Sequence, residues 1–231
     1  MDSRVLEPEL LDELPATALE AIRSRRDLRR LNAWMRHAQV FGPALQRFAS
    51  THRICRIVEL GAGDGTLSLQ IARALAPRIS GVELLLVDRQ KIVDDATLAQ
   101  FHALGWTAIP VAADVFDWLE RGEKSDVILA NLFLHHFDDA ELRNIFIPAS
   151  RRTKLFLACE PRRSTLPLLI SRVLWLIGCN SVTRHDAVLS VRAGFAGREL
   201  SDAWPDKNNW RLRETALGLF SHHFAAEQAE S

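Results

Sequence analysis

The 231-residue chain carries no excess of either charge: 29 Lys and Arg stand against 29 Asp and Glu, and the sequence pI is near 7.1. That balance argues against a dedicated nucleic-acid binder, whose affinity rests on a basic excess that neutralises phosphates. Long apolar runs are lacking too. The longest, Leu166 to Ile177, is interrupted by Ser171 and Arg172 and falls short of the roughly 20 residues needed to cross a bilayer. The N-terminal sequence MDSRVLEPELLDELP is acidic and has none of the basic, apolar and small-residue succession of a secretion signal. Cysteine is scarce. Cys55, Cys159 and Cys179 are odd in number, widely spaced and free of any C-x-x-C pair, which favours a reducing compartment over a disulfide framework or a zinc site. Tyrosine is absent, and no repeat, low-complexity tract or Gly/Ser/Pro-rich linker interrupts the chain. With 48% hydrophobic and 25% charged residues, the composition is that of an ordinary soluble globular protein, so disorder, collagen and coiled coil are excluded. At roughly 100–200 residues per domain, the length fits one domain with a modest extension. A soluble cytoplasmic protein is the expectation.

What is present has a rhythm. The first 36 residues pass from acidic (Glu7, Glu9, Asp12, Glu13, Glu20) to basic (Arg23, Arg25, Arg26, Arg29, Arg30, Arg36). Leu28, Leu31 and Met35 give the basic half one apolar helical stripe. Its arginines then form a solvated face or reach an anionic ligand. From residue 54, short apolar runs alternate with helical patterns. Strands are expected at Ile54–Leu60, Glu83–Asp88, Thr107–Asp114, Asp126–Asn131 and Lys154–Glu160, and helices at Thr66–Leu75, Asp94–Gly105, Asp117–Arg121 and Leu166–Ile177. Asp138-x-x-Glu141 resembles a capping box opening a further helix through Ile147. A short helix around Arg198–Ala203 precedes two strands, Trp210–Ala216 and Leu219–Ala225, parted by Gly218. Continuous apolar strands separated by helices mean a parallel sheet covered on both faces. The expected fold is a doubly wound, mostly parallel α/β sheet closed by an antiparallel C-terminal hairpin.

The most specific local signal is Val58-Glu59-Leu60-Gly61-Ala62-Gly63-Asp64-Gly65-Thr66. It lies in the turn after the first strand, where ligands of such sheets bind beside the switch in strand order. Glycines permit positive φ and close backbone approach, and the following helix offers unpaired N–H groups. A dinucleotide fingerprint would place its third glycine at position 66, which is Thr66, and a phosphate-binding loop would end in Gly-Lys-Ser/Thr. Neither is present. An acidic Glu59 beside the loop would repel a pyrophosphate but suits a ligand carrying an ammonium group. The loop resembles motif I of the class I S-adenosylmethionine-dependent methyltransferases, in which an acid precedes G-x-G-x-G.

The resemblance extends over roughly residues 40–226. Asp88, with Arg89 next to it, ends the second strand at the position of the ribose-binding acid. Asp114 and Val115 stand at the position contacting adenine, the apolar neighbour lying against the ring. Asn131 ends the fourth strand and runs into Leu134-His135-His136, which looks like the post-strand motif of many small-molecule methyltransferases. Ser190-x-Arg192-x-x-Phe195 before Glu199-Leu200 resembles their loop-to-helix segment. The resemblance implies a seven-stranded sheet, an N-terminal helical cap over residues 1–40 and a cofactor-binding domain over 41–231. It further implies a cofactor, S-adenosylmethionine, held by Glu59, Gly61, Ala62, Gly63, Gly65, Asp88, Arg89, Asp114, Val115 and Asn131, with S-adenosylhomocysteine as product. Asp88 and Asp114 have an alternative as strand-end turn formers, and Glu59 as a capping or salt-bridging acid.

Methyl transfer from a sulfonium requires mainly that the nucleophile be held about 3–3.5 Å away and in line, with a base where it bears a proton. His135 or His136 is the candidate base; consecutive residues diverge, and the sequence leaves open which one faces the pocket. His185, in the T-R-H-D stretch with Arg184 and Asp186, is a second candidate on an expected loop. His222 and His223 belong to the last strand. No metal is expected, because a metal-assisted site would need carboxylates from several strand ends. Leu166, Leu169, Ile170, Val173, Leu174 and Ile177 would cover the sheet, leaving Leu168, Trp175 and Leu176 outside. With Trp34, Phe133 and Phe195 in expected lid segments, this favours a small hydrophobic acceptor, phenolic, enolic or polyketide-like, with O-methylation ahead of C-methylation. An RNA methyltransferase lacks the N-P-P-Y or D-P-P-Y motif, and a non-catalytic cofactor-binding protein would not need the full set of positions. No nucleic-acid partner and no membrane span are expected, and the oligomeric state stays open.

Overall fold

The computed structural model describes residues 3–15 and 17–229; residues 1, 2 and 16 of the expected cap, and 230–231, lie outside the described residues. The chain opens with an extended segment and a short helix α1 (Leu10–Glu13), followed by α2 (Leu19–Met35) and α3 (Ala38–Ala49). Alternation then sets in: β1 (Arg56–Leu60), α4 (Thr66–Leu75), β2 (Glu83–Asp88), α5 (Asp95–Ala103), β3 (Thr107–Ala112), α6 (Val115–Arg121) and β4 (Val127–Asn131). A 3₁₀ turn at Leu134–His136 leads to α7 (Asp139–Arg152), β5 (Leu155–Pro161), α8 (Thr165–Ser171), α9 (Ser181–Ala193) and α10 (Glu199–Ala203). The hairpin β6 (Trp210–Leu217) and β7 (Ser221–Gln228) turns at Gly218, φ +58°.

The seven strands lie in the order β3-β2-β1-β4-β5-β7-β6. All neighbours from β3 to β5 are parallel, and β7 runs antiparallel to both β5 and β6. This is the doubly wound sheet expected from the sequence. The order reverses between β1 and β4, which puts the carboxyl ends of these two strands at the crevice. β1, β4 and β5 are central and buried on both faces, which is why they read as largely apolar runs broken only by Glu59 and Glu160. On one face Phe41, Leu45 and Phe48 of α3 join Ile71, Leu75 and Phe101; on the other, Leu142, Ile145 and Phe146 of α7 join Leu119, Phe156, Trp204 and Phe224.

Three elements depart from the sequence reading. α3 straddles residue 40 and carries Gly42 and Pro43, whose turn signal hides a helix packed through Phe41, Ala44, Leu45 and Phe48. α9 occupies the stretch expected as a loop, with polar Thr183 and Asp186 on its buried face. The expected helix Leu166–Ile177 is broken: α8 stops at Ser171, whose hydroxyl donates back to the Leu168 carbonyl (2.8 Å), and a 3₁₀ turn at Leu174–Ile177 ends on Gly178 at φ +78°. Its apolar stripe does not cover the sheet. Pro167, Ser171 and Leu174 are buried, while Leu166, Leu169, Val173, Trp175, Leu176 and Ile177 are exposed.

Candidate active site

At the switch point the chain leaves β1 through Gly61, Gly63 and Gly65, with φ of +67°, +55° and +74°. At Gly61 a Cβ would lie 2.2 Å from the Phe133 ring, so no side chain fits between the two strand-end turns. Asp88, at the end of β2, accepts from the Gly63 N–H (2.9 Å) and from the Gln90 N–H (2.8 Å). It is therefore a turn former that shapes the glycine loop. An ionised carboxylate has about four lone-pair sites, so capacity remains on the cavity side, which Asp88 lines. Asp114 caps α6 by accepting from the Phe116 N–H (2.9 Å) and lines the same cavity with Val115. Glu59 lies on β1 itself, 2% exposed, with Oε2 lacking any hydrogen-bond partner. Burial pushes its carboxyl up to about 8, and the charges of Asp64 and Asp88 add to the rise. Asn131 ends β4 with a buried, unpartnered Oδ1.

The second wall follows β4. Leu132 takes φ +50°, rare for a leucine, and starts the turn that carries both histidines. Glu160 on β5, fully buried, holds that turn. It accepts from the N–H groups of Phe133 (3.1 Å), Leu134 (3.0 Å) and His135 (3.4 Å), and from His135 Nδ1 (2.9 Å). A carboxylate only accepts, so Nδ1 carries the proton. Nε2 of His135 faces Glu9 at 3.5 Å. The His136 ring lies over that of His135, centroids 4.2 Å apart. Burial opposes a charge on His135, but Glu160 and then Glu9 outweigh it and raise the imidazole to about 9.

Glu9 belongs to an N-terminal strap laid across the cavity. Arg4 is its anchor: the guanidinium donates to the carbonyls of Ala193 (2.8 Å), Phe137 (2.8 Å) and His135 (3.2 Å) and sits 4.2 Å above the Phe195 ring. The Val5 N–H reaches the Arg192 carbonyl, the Leu10 and Leu11 N–H groups reach Asp186 at 3.0 Å each, and Glu9 accepts from the Ser190 hydroxyl. From α2, Arg25 meets Gln90 (3.1 Å) and Arg29 meets Asp64 (2.8 Å), so two of its arginines hold the turn after β2 and the glycine loop. The cavity has a volume of about 880 Å³.

The structure thus brings Glu59, Gly61, Ala62, Gly63, Asp88, Arg89, Asp114, Val115, Asn131, His135 and His136 to one cavity, with Gly65 in the loop behind. It does not bring His185 there. That residue stands on the solvent side of α9 with Nδ1 3.1 Å from Asp186, because Asp186 faces inward to hold the strap. His222 and His223 also lie off the cavity; Nε2 of His222 is 2.7 Å from Glu214. Phe195 is core beneath Arg4 and no part of a lid. Sequence reasoning missed Glu160, Glu9 and Arg4. Glu160 had a signal, a lone acid in an otherwise apolar strand. Glu9 had none among its acidic neighbours.

No protein-family model and no curated protein matches the chain. Solved structures match its fold. The plantazolicin methyltransferase BpumL in complex with SAH superposes with a TM-score of 0.66 over 92% of each chain, at 11% identity. Magnesium protoporphyrin IX methyltransferase (ChlM) from Synechocystis PCC 6803 with bound SAH gives 0.55 over 84% of this chain and 82% of that one, at 15% identity. An O-methyltransferase family protein from Burkholderia thailandensis gives 0.53 over 93% of this chain, at 18% identity; this chain spans 64% of that protein's length. At these identities the likeness is one of fold, and the fold is that of the class I methyltransferases.

Proposed function

We propose that the chain is an S-adenosylmethionine-dependent methyltransferase acting on a small hydrophobic acceptor, with a phenol or enol oxygen ahead of carbon as the receiving atom. Glu59 carries the reading. A buried carboxyl with an orphaned oxygen, pushed up to about 8 by burial, is costly to keep in an apo site. A cationic ammonium laid against it removes that cost. The rest of the cavity suits the same ligand. Gly61 and Gly63 let the backbone approach closely, Asp88 keeps lone pairs for two adjacent hydroxyls, and Val115 with Phe116 offers an apolar wall to a planar ring beside Asp114. When bound, the cofactor supplies an electrophilic methyl group on a sulfonium.

The chain's own residues then position the acceptor and deal with its proton. Leu28, Leu31 and Met35 of α2 line the cavity together with Ile170 and Leu174, an apolar lining that favours a hydrophobic molecule. The Glu9, His135 and His136 wall is where an acceptor hydroxyl would lose its proton, and Glu160 fixes the ring orientation there. Small acceptors are in keeping with the plantazolicin and magnesium protoporphyrin IX named for two structural neighbours. The test is calorimetric titration with S-adenosylmethionine, S-adenosylhomocysteine and, as control, NADH. Micromolar binding of the two sulfur nucleosides alone is expected. Binding of NADH in their place, or silence towards all three from folded protein, overturns the reading.

A further inference from the structure

Glu9, His135 and His136 present one ligand atom each, all within 4.8 Å of one another, on a wall of the cavity. Three features of this cluster suit a bound cation. First, His135 is 3% exposed, and its Nε2 has no hydrogen-bond partner. Nδ1 is taken by Glu160, so Nε2 is the nitrogen left turned towards the Glu9 carboxylate in a buried place. Second, their separation is 3.5 Å. That is beyond the 2.7–3.2 Å range of an N–H···O bond, but close to the spacing of neighbouring ligands around an ion with bonds of about 2.0–2.2 Å. Third, Glu160 does for His135 what an outer carboxylate does for a metal-bound histidine: it fixes the tautomer and aims the other nitrogen.

We propose that Glu9, His135 and His136 form a site for a divalent transition metal of the zinc class, with Glu160 as the residue that positions His135. Two imidazoles and one carboxylate are a borderline donor set suited to such ions, and three protein ligands leave a position open. All three side chains line the cavity, so an ion held by them would be reached from it. A phenol or enol oxygen entering the open position gives up its proton to solvent and keeps the O–H electron pair, which becomes the bond to the metal. That use of the ion rests on the methyltransferase reading; binding of the ion does not. The expected objection, that carboxylates from several strand ends would be needed, does not apply, because the acid comes from the N-terminal strap. Asp138 and Asp139 take no part: Asp138 caps α7 and Asp139 pairs with Arg4.

The test uses the full-length protein stripped with a chelator, then dialysed against Zn²⁺ and, separately, Co²⁺. Bound metal is read by elemental mass spectrometry and the Co²⁺ visible spectrum, and S-adenosylhomocysteine affinity is read on the same samples. The expected result is about one ion per chain, with Co²⁺ bands of low-coordinate nitrogen and oxygen ligation. Glu9→Gln and His136→Ala should each weaken retention at least tenfold, and Glu160→Gln by about 10–100-fold. His185→Ala, off the cavity, should bind metal as the native chain does. Wild-type protein that retains no ion, or Glu9→Gln and His136→Ala variants that retain it unchanged, would overturn the site. His136 is only half-buried, so His136→Ala keeps the test alive if Glu160→Gln fails to fold. Metal silence with intact S-adenosylhomocysteine binding removes the metal site alone. Metal binding without the nucleoside removes the methyltransferase reading alone.

Discussion

Glu59 shows how one side chain ties folding to ligand binding. Unfolded, it titrates at the ordinary 4.5; folded, burial followed by repulsion from Asp64 and Asp88 puts it at about 8. Between those values the native state holds a proton that the unfolded chain has released, so this group erodes stability as pH rises from 4.5 to about 8. An ammonium ligand reverses the preference and expels the proton. S-adenosylhomocysteine affinity should therefore climb about tenfold per pH unit up to pH 8 and level off beyond. Calorimetry in two buffers of different ionisation enthalpy should register nearly one proton released at pH 7. Glu59→Gln should bind more weakly and with a flat profile; a flat profile in the native chain would exclude Glu59 from the ligand. Glu59, Asp88 and Asp114 were readable because each stands at a fixed distance from a strand end that local patterning locates. Glu9 was not, and Glu160 showed only as a lone acid in an apolar strand, since both join the histidines through tertiary packing.

At the scale of elements, legibility followed the buried face. β1, β2, β4 and β5 and α4 to α7 bury apolar residues on one face or both, and their periods show through. α9 hides because Thr183 and Asp186 occupy its buried side, and α8 misled because its apolar residues point outward. α7 was recognised from its start and underestimated at its end. It runs past Pro148 to Arg152, the packing of Ile145, Phe146 and Ala149 outweighing the missing N–H. Its capping box is complete: Asp138 accepts from Ala140 and Glu141, and the Glu141 carboxylate returns to the Asp138 N–H (2.8 Å). Asp138 is exposed, so its removal tests the cap and little else. Asp138→Ala should cost about 1 kcal/mol, lowering Tm by about 2–4 °C in a protein of this size. Asp138→Ser should restore most of it. An unchanged Tm in Asp138→Ala would mean that α7 is held by core packing alone.

For the molecule as a whole, the cavity is closed by the two ends of a topology and not by the sheet alone. The glycine loop and the histidine turn belong to the carboxyl ends of the sheet strands, whereas Glu9 belongs to a strap held at Arg4, Val5, Glu7, Glu9, Leu10 and Leu11. Such a strap buries little apolar surface and should open far more readily than the sheet unfolds. If opening breaks the contacts of Arg4 and Asp186 together, the two anchors act as one unit. Arg4→Ala and Asp186→Asn should each speed hydrogen exchange at the Val5, Leu10 and Leu11 amides by a similar factor, while protection in β1, β4 and β5 stays unchanged. Each hydrogen bond to a charged group contributes about 1.5–3 kcal/mol, so the acceleration should be on the order of tenfold or more. Both variants also move Glu9 away from His135, and weaker binding of whatever occupies that wall should follow in the same proportion. If Arg4→Ala speeds exchange only at Val5 and leaves Leu10 and Leu11 protected, the strap is two independent contacts, and the cavity does not open through it as a single step.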